Sequence, residues 1–116
     1  MGLWIFADTA VGFILLIAGL VFRARPPKEI NNFVGYRTAR STKNQDTWEE
    51  ANRYSARILI RGSFAAIGAG VVCGWLLEVP GIFISEGFTL AMLFYMIYRT
   101  EKHLKTVFDK QGNRSI

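Results

Sequence analysis

The side chains best equipped for chemistry crowd into one stretch, residues 31–52. Asn31 is followed by Gly35-Tyr36-Arg37-Thr38, then by Ser41, Asn44 and Trp48-x-x-Ala51-Asn52. The amides of Asn31, Asn44 and Asn52 each offer a donor and an acceptor, able to bridge backbone groups of a folded loop. Arg37 carries a planar fork suited to a carboxylate, a phosphate or the carbonyls ending a helix. Tyr36 and Trp48 combine an apolar body with one polar handle, and Gly35 permits a turn with positive φ. The set predicts a compact loop folded back under its neighbours, either as a structural cap or as a ligand-binding surface. The residue types do not point to catalysis. There is no Ser-His-Asp set and no metal-ligand cluster, and the single histidine, His103, reads as a surface residue among Glu101, Lys102 and Lys105. No enzyme activity, metal or cofactor is expected.

Long apolar stretches flank this loop. The chain has 116 residues, 51% hydrophobic and 20% charged, with net charge +5. Nine Phe, four Tyr and three Trp are too many for a disordered tail, and one cysteine cannot close an internal disulfide. The charges fall in blocks. Residues 2–22 carry only Asp8, residues 23–61 carry nine basic and four acidic groups, and residues 62–98 carry only Glu78 and Glu86. From residue 99 onward come five basic and two acidic groups with His103. A hydrocarbon core of about 30 Å takes roughly 20 apolar residues per helix. The pattern predicts an all-α membrane protein with three transmembrane helices, at residues 3–22, 59–77 and 82–98. The last two are expected to join through a turn at Glu78-Val79-Pro80-Gly81. A structured loop over 23–58 and a tail over 99–116 complete one membrane domain, 1–116.

The first span has no basic residue before it and no small-x-small cleavage site after it, so it reads as a retained anchor. The positive-inside rule then puts the loop and tail in the cytoplasm, and the N-terminus and the 78–81 turn outside. The net positive charge is thereby a topology label, and no nucleic-acid partner is expected.

Within this frame Thr47-x-x-Glu50 reads as a capping box that starts a helix near Thr47, with Asp46 favourable at its N-terminus. If that helix runs into the second span, Trp48, Ala51, Asn52, Ser55 and Leu59 share a face. Arg53, Arg57 and Arg61 then form a basic stripe for anionic headgroups, and Glu49 can pair with Arg53. Gly62, Ala66, Gly70 and Gly74 make a small-residue groove for packing within the chain or for self-association. Asp8 and Glu86, with Glu78 nearby, lie toward the outer leaflet. Each either reaches water or backbone donors, or joins an acidic cavity attracting a cation, a proton or a basic peptide. Cys73 reads as a small buried hydrophobe.

The string Asn31-x-x-x-Gly35-Tyr36-Arg37-Thr38, with Ser41, Asn44 and Trp48-x-x-Ala51-Asn52, resembles the signature of the SdpI/YfhL family of bacterial membrane proteins. The resemblance is close over residues 27–52, and the flanking spans agree in number and placement. It implies a small multi-pass protein of the bacterial plasma membrane. Founding members confer immunity to a secreted antimicrobial peptide toxin, and one also holds a transcriptional repressor at the membrane. Larger members carry extra N-terminal spans. The resemblance therefore implies resistance to a membrane-active peptide by binding or sequestration. One alternative is a membrane enzyme or transporter holding a lipid-linked or anionic amphipathic substrate with Tyr36, Arg37, Asn44, Asn52 and Arg53. Another is a small accessory subunit of a larger membrane complex. The partners expected are membrane lipids, a peptide toxin, and a second copy or a larger membrane complex.

Overall fold

A computed structural model describes residues 2–31 and 33–115, with the side chains of residues 2–4, 7, 8, 78 and 79 outside the description. The described chain is helical: α1 (Gly2–Ala24), α2 (Gln45–Leu76) and α3 (Glu78–Val107). The helices run antiparallel in sequence, with α2 packed against both neighbours and α1 meeting α3 less extensively. At 1.5 Å per residue the 32 residues of α2 and 30 of α3 span about 48 and 45 Å. Both are long and apolar enough to cross a membrane, and the apolar stretch Thr9–Ala24 of α1 is shorter.

The surface is turned inside out relative to a water-soluble bundle. Phe13, Ile14, Ile17, Phe64, Trp75, Phe83, Leu90 and Phe94 are all exposed, a contiguous apolar surface that fits lipid and not water. Many of the buried positions are small or hydroxylic, Thr9, Ser63, Ala66, Ser85 and Thr89 among them, beside the larger Leu59, Ile60 and Met92. Thr9, Ser63 and Thr89 satisfy their hydroxyls on carbonyls one turn back, at 2.7, 2.6 and 3.0 Å. Lipid provides no hydrophobic drive between helices, so small side chains that permit close approach take over. The α2 stripe follows this rule, with Ala66, Gly70 and Gly74 buried and Gly62 set against Met92 of α3. On α1 the same role falls to Gly12 and Gly19, where a Cβ would stand 2.8 Å from Ile67 and Ile60 of α2.

Three boundaries differ from the sequence expectation. The turn between α2 and α3 is the single residue Leu77, and Pro80 lies inside the first turn of α3. A proline is tolerated there because its missing N–H has no intrahelical acceptor, and Gly81 lets α3 approach the Cys73 carbonyl. The N-cap of α2 is Asn44 and not Thr47. Asn44 Oδ1 accepts the Thr47 N–H at 2.9 Å, and Thr47 Oγ1 accepts the Asn44 N–H at 3.0 Å. Asparagine caps better than threonine, and Glu50 is drawn elsewhere. Finally, α3 continues to Val107, and the tail folds back as a short hairpin with Phe108 bridged to Arg114. Residues 45–58 of α2 and 99–107 of α3, which lie beyond the spans expected from the sequence, form a platform at one end of the bundle.

Glycine substitutions separate packing from propensity. Gly19→Val should destabilise the bundle by about 1–3 kcal/mol through overpacking against Ile60. Gly68→Ala and Gly87→Ala, which meet nothing within 4 Å, should stabilise it by about 0.5–1 kcal/mol each. Unfolding in mixed micelles measures both signs.

Candidate functional site

The loop between α1 and α2 lies against this platform, held by side chains that bond its backbone. Asn52, 4% exposed, is the centre. Its Oδ1 accepts the Tyr36 N–H at 2.7 Å, and its Nδ2 donates to the Trp48 carbonyl at 2.9 Å, with the Tyr36 carbonyl 3.4 Å away. Gly35 precedes this contact with φ 106°, and a Cβ there would stand 2.6 Å from Asn52 Oδ1 and 2.8 Å from Pro27. Conformation and space both demand glycine. Trp48 is fully buried and donates its indole N–H to the Pro27 carbonyl at 2.7 Å. Ser41 Oγ accepts the Thr38 N–H at 2.7 Å, while Thr38 Oγ1 accepts the Ser41 N–H at 3.2 Å, closing a reciprocal turn. Upstream, Asn31 Oδ1 accepts the N–H groups of Phe33 and Val34 at 2.9 and 2.7 Å.

The loop also reaches α3 and the terminal hairpin. The Tyr36 ring packs with Ala51, Leu104, Val107 and Phe108, and its hydroxyl donates to Glu101 Oε1 at 2.8 Å. Burial, then the bond to Glu101 and that carboxylate's charge, push the phenol above its ordinary value of 10.0. Arg40 lies 3.5 Å from the same carboxylate. Asn44 Nδ2 donates to the Gly112 carbonyl at 2.7 Å, so the residue that caps α2 also fixes the hairpin.

Beside the clamp lies a charged knot. Glu50, on the protruding part of α2, is buried and places Oε2 2.7 Å from His103 Nε2. Its other oxygen accepts from Arg53 and lies 3.6 Å from Arg114. Arg114 also bonds Asp46 at 2.7 Å. The His103 ring stacks on Tyr54, centroids 4.1 Å apart and planes 5° from parallel. Burial opposes the Glu50 charge, and it is outweighed by the His103 bond and the charges of Arg53, His103 and Arg114, so its carboxyl titrates below the ordinary 4.5.

The motif residues thus converge, and most spend their polar groups on one another. Arg37 is exposed on the loop and engaged within the protein. Trp48, Ala51, Asn52, Ser55 and Leu59 share a buried face as their spacing predicts. Two expectations are corrected. His103 is a half-buried partner of Glu50, because α3 carries it past the expected span end onto the platform. Arg53 pairs with Glu50 and not Glu49, which instead accepts from Gln45 Nε2 at 3.0 Å. Glu50 and the hairpin are members of the site that spacing alone did not indicate; folding the long helices about Leu77 sets Glu50 opposite His103. The side chains of Asp8 and Glu78 lie outside the described residues, and Glu86 is half-buried on α3. Among the described residues no group of three His, Cys, Asp or Glu side chains is placed to hold a metal ion. A cleft of about 470 Å³ opens between the loop and α2, lined by Arg23, Lys28, Arg57 and Arg114 facing Asp46 and Glu49.

The model of the SdpI/YfhL protein family matches residues 28–99, covering the loop and most of both long helices. A Bacillus subtilis (strain 168) protein described as "Uncharacterized protein YfhL" is 38% identical over 104 residues, 87% of this chain and 88% of the relative. No solved structure matches the chain.

Replacing Asn52 by alanine strands the Tyr36 N–H and should cost about 1–3 kcal/mol. Gly35→Ala should be at least as damaging, and chemical unfolding of the purified protein ranks the two. The Glu50 contribution is complete above the ordinary 4.5 and is lost as pH falls through the depressed folded-state value. The acid-side loss of stability should therefore be shallower in Glu50→Gln, read from thermal unfolding between about pH 3 and 7.

Proposed function

Because the chain belongs to the SdpI/YfhL family, we propose that it is an immunity-type membrane protein that protects its cell from a membrane-active peptide by binding or sequestering it. The observation that carries this reading is the family match over the loop clamp together with the two long apolar helices. The family is not a known enzyme family. The clamp speaks for a binding module, since Tyr36, Asn44 and Asn52 spend their polar groups on holding the loop to α2, α3 and the hairpin. That leaves the exposed apolar helix faces, with Phe83 and Phe94 prominent on α3, as the surface that meets an amphipathic peptide inside the bilayer. The outer acidic groups Asp8 and Glu86 are the second contact, attracting a basic peptide. In this reading the protein crosses the bacterial plasma membrane three times. The clamp then lies on the cytoplasmic side, a reading supported by the excess of Lys and Arg in the loop and tail.

Expression in a sensitive bacterium, challenged with a panel of membrane-active peptides, should raise the inhibitory concentration of at least one of them. No shift across the panel, with the protein verified in the membrane, would refute the proposal. At matched protein levels, Phe83→Ala with Phe94→Ala should reduce protection if the apolar face makes the contact. Asp8→Asn with Glu86→Gln should do so if the acidic groups do.

A further inference from the structure

A groove of about 670 Å³ runs between α2 and α3; it borders the loop cleft at Arg57 and takes no side chain from the loop. Its character changes along its length. At the platform end it is lined by Arg57, Arg61 and Arg99 with Tyr54 and Tyr95; toward the middle of the bundle it is lined by Ala65, Phe88, Ala91 and Met92. From Tyr54 to Ala65 the helix rises about 16 Å, roughly half the thickness of a hydrocarbon core. The groove is therefore charged over most of that rise and apolar over about the last 6 Å, from Arg61 to Ala65, enough to take the upper part of an acyl chain.

The cations are oriented toward one another. Side chains on a helix lean toward its N-terminus, so Arg57 and Arg61 on α2 lean toward the platform while Arg99 on antiparallel α3 leans into the membrane. Arg99 is held in place by the Tyr95 hydroxyl at 2.6 Å and the Tyr54 hydroxyl at 3.3 Å. Both contacts are to neutral acceptors, and each tyrosine keeps its own O–H to donate. Among the described residues no carboxylate lies within ion-pair distance of Arg57, Arg61 or Arg99. The groove lining holds no acidic side chain at all. Arg57 also borders the loop cleft that holds Asp46 and Glu49, but among the described residues none of the three guanidinium groups around this apolar trough is ion-paired to a carboxylate.

We propose that this groove is a binding site for an anionic phospholipid, whose phosphate is held by Arg57, Arg61 and Arg99 with the Tyr54 and Tyr95 hydroxyls. One acyl chain lies along Ala65, Phe88 and Ala91. The small side chains of Ala65 and Ala91 leave the trough open, and both are exposed. Guanidinium forks match phosphate oxygens in geometry and charge, and a soluble phosphate would leave the apolar half of the trough unfilled. The site does not depend on the immunity reading, since no residue of the clamp contributes to it.

The test uses the whole protein in dodecylmaltoside micelles titrated with dioleoylphosphatidylglycerol, read by thermal unfolding and by lipid retention in native mass spectrometry. The expected result is a saturable rise in the unfolding midpoint with one lipid retained. Dioleoylphosphatidylcholine, with the same chains, and glycerol phosphate, with the headgroup alone, should each give none. Arg61→Gln and Arg99→Gln should each weaken the apparent affinity about fivefold. Ala65→Leu with Ala91→Leu, which keeps every charge and fills the trough, should abolish the rise without lowering the lipid-free midpoint. Arg23→Gln with Arg25→Gln, twice the loss of charge of either single variant but elsewhere, should leave it intact. The proposal is overturned if phosphatidylcholine or glycerol phosphate works as well, or if the filled-trough or arginine variants bind unchanged. It is equally overturned if the Arg23 and Arg25 variant weakens binding as much, or if filling the trough instead dissociates a dimer, which would assign the groove to a second copy.

Discussion

One buried amide, the side chain of Asn52, ties the long loop to the helix that follows it. A loop of this length loses much conformational entropy when it is fixed, and its backbone must find partners wherever it is buried. Asn52 answers both needs because an amide can accept and donate at once. It takes the Tyr36 N–H and gives to the Trp48 carbonyl from a position the loop covers. The neighbours follow from that contact. Gly35 must be glycine because its chain passes against Asn52 Oδ1, and Trp48 must be large because it fills the space beneath Pro27. Tyr36, once fixed by its backbone, projects its ring into the platform core and its hydroxyl to α3. The loop thereby connects all three helices at one end, where α1 and α3 make little contact of their own.

The bilayer explains why such a connection is built outside the apolar region. Between lipid-facing helices the available cement is small-residue packing and local hydroxyl bonds, which contribute modestly. Where α2 and α3 emerge, water restores the hydrophobic effect, and the core of Tyr36, Ala51, Leu104, Val107 and Phe108 can form. The same emergence makes the Glu50 knot tolerable. A buried carboxylate unaided would be costly, and Glu50 has His103, Arg53 and Arg114 around it.

Much of this was legible in the sequence, for identifiable reasons. Charge blocks mark membrane boundaries because an unpaired charge is expensive in lipid, so the two long apolar helices stood out. The clamp residues stood out because glycine, tryptophan and three amides at irregular spacing have no use on a solvated loop. Less legible was whatever depended on register between distant segments. Glu50 and His103 are 53 residues apart and meet only because the turn is at Leu77. Asn44 outcompetes Thr47 as a cap partly because the hairpin carbonyl of Gly112 engages its other end. The packing role of Gly12 and Gly19 on α1 is not legible in the sequence, because a spacing of seven among large residues marks no groove until Ile60 and Ile67 face it.

A signature made of such residues reports architecture first. Substituting any of Gly35, Trp48 or Asn52 removes a contact on which the loop's position depends, so these residues are constrained whatever the bundle binds. The chemistry that distinguishes one bundle of this kind from another must lie on surfaces the clamp leaves free. Here those are the apolar faces of the helices, the charged cleft beside the loop and the α2–α3 groove, where Arg57, Arg61 and Arg99 gather without an ion-paired carboxylate among the described residues. The loop that first draws the eye holds the ends of the helices together, which leaves their faces as the surfaces on which the proposed contacts would be made.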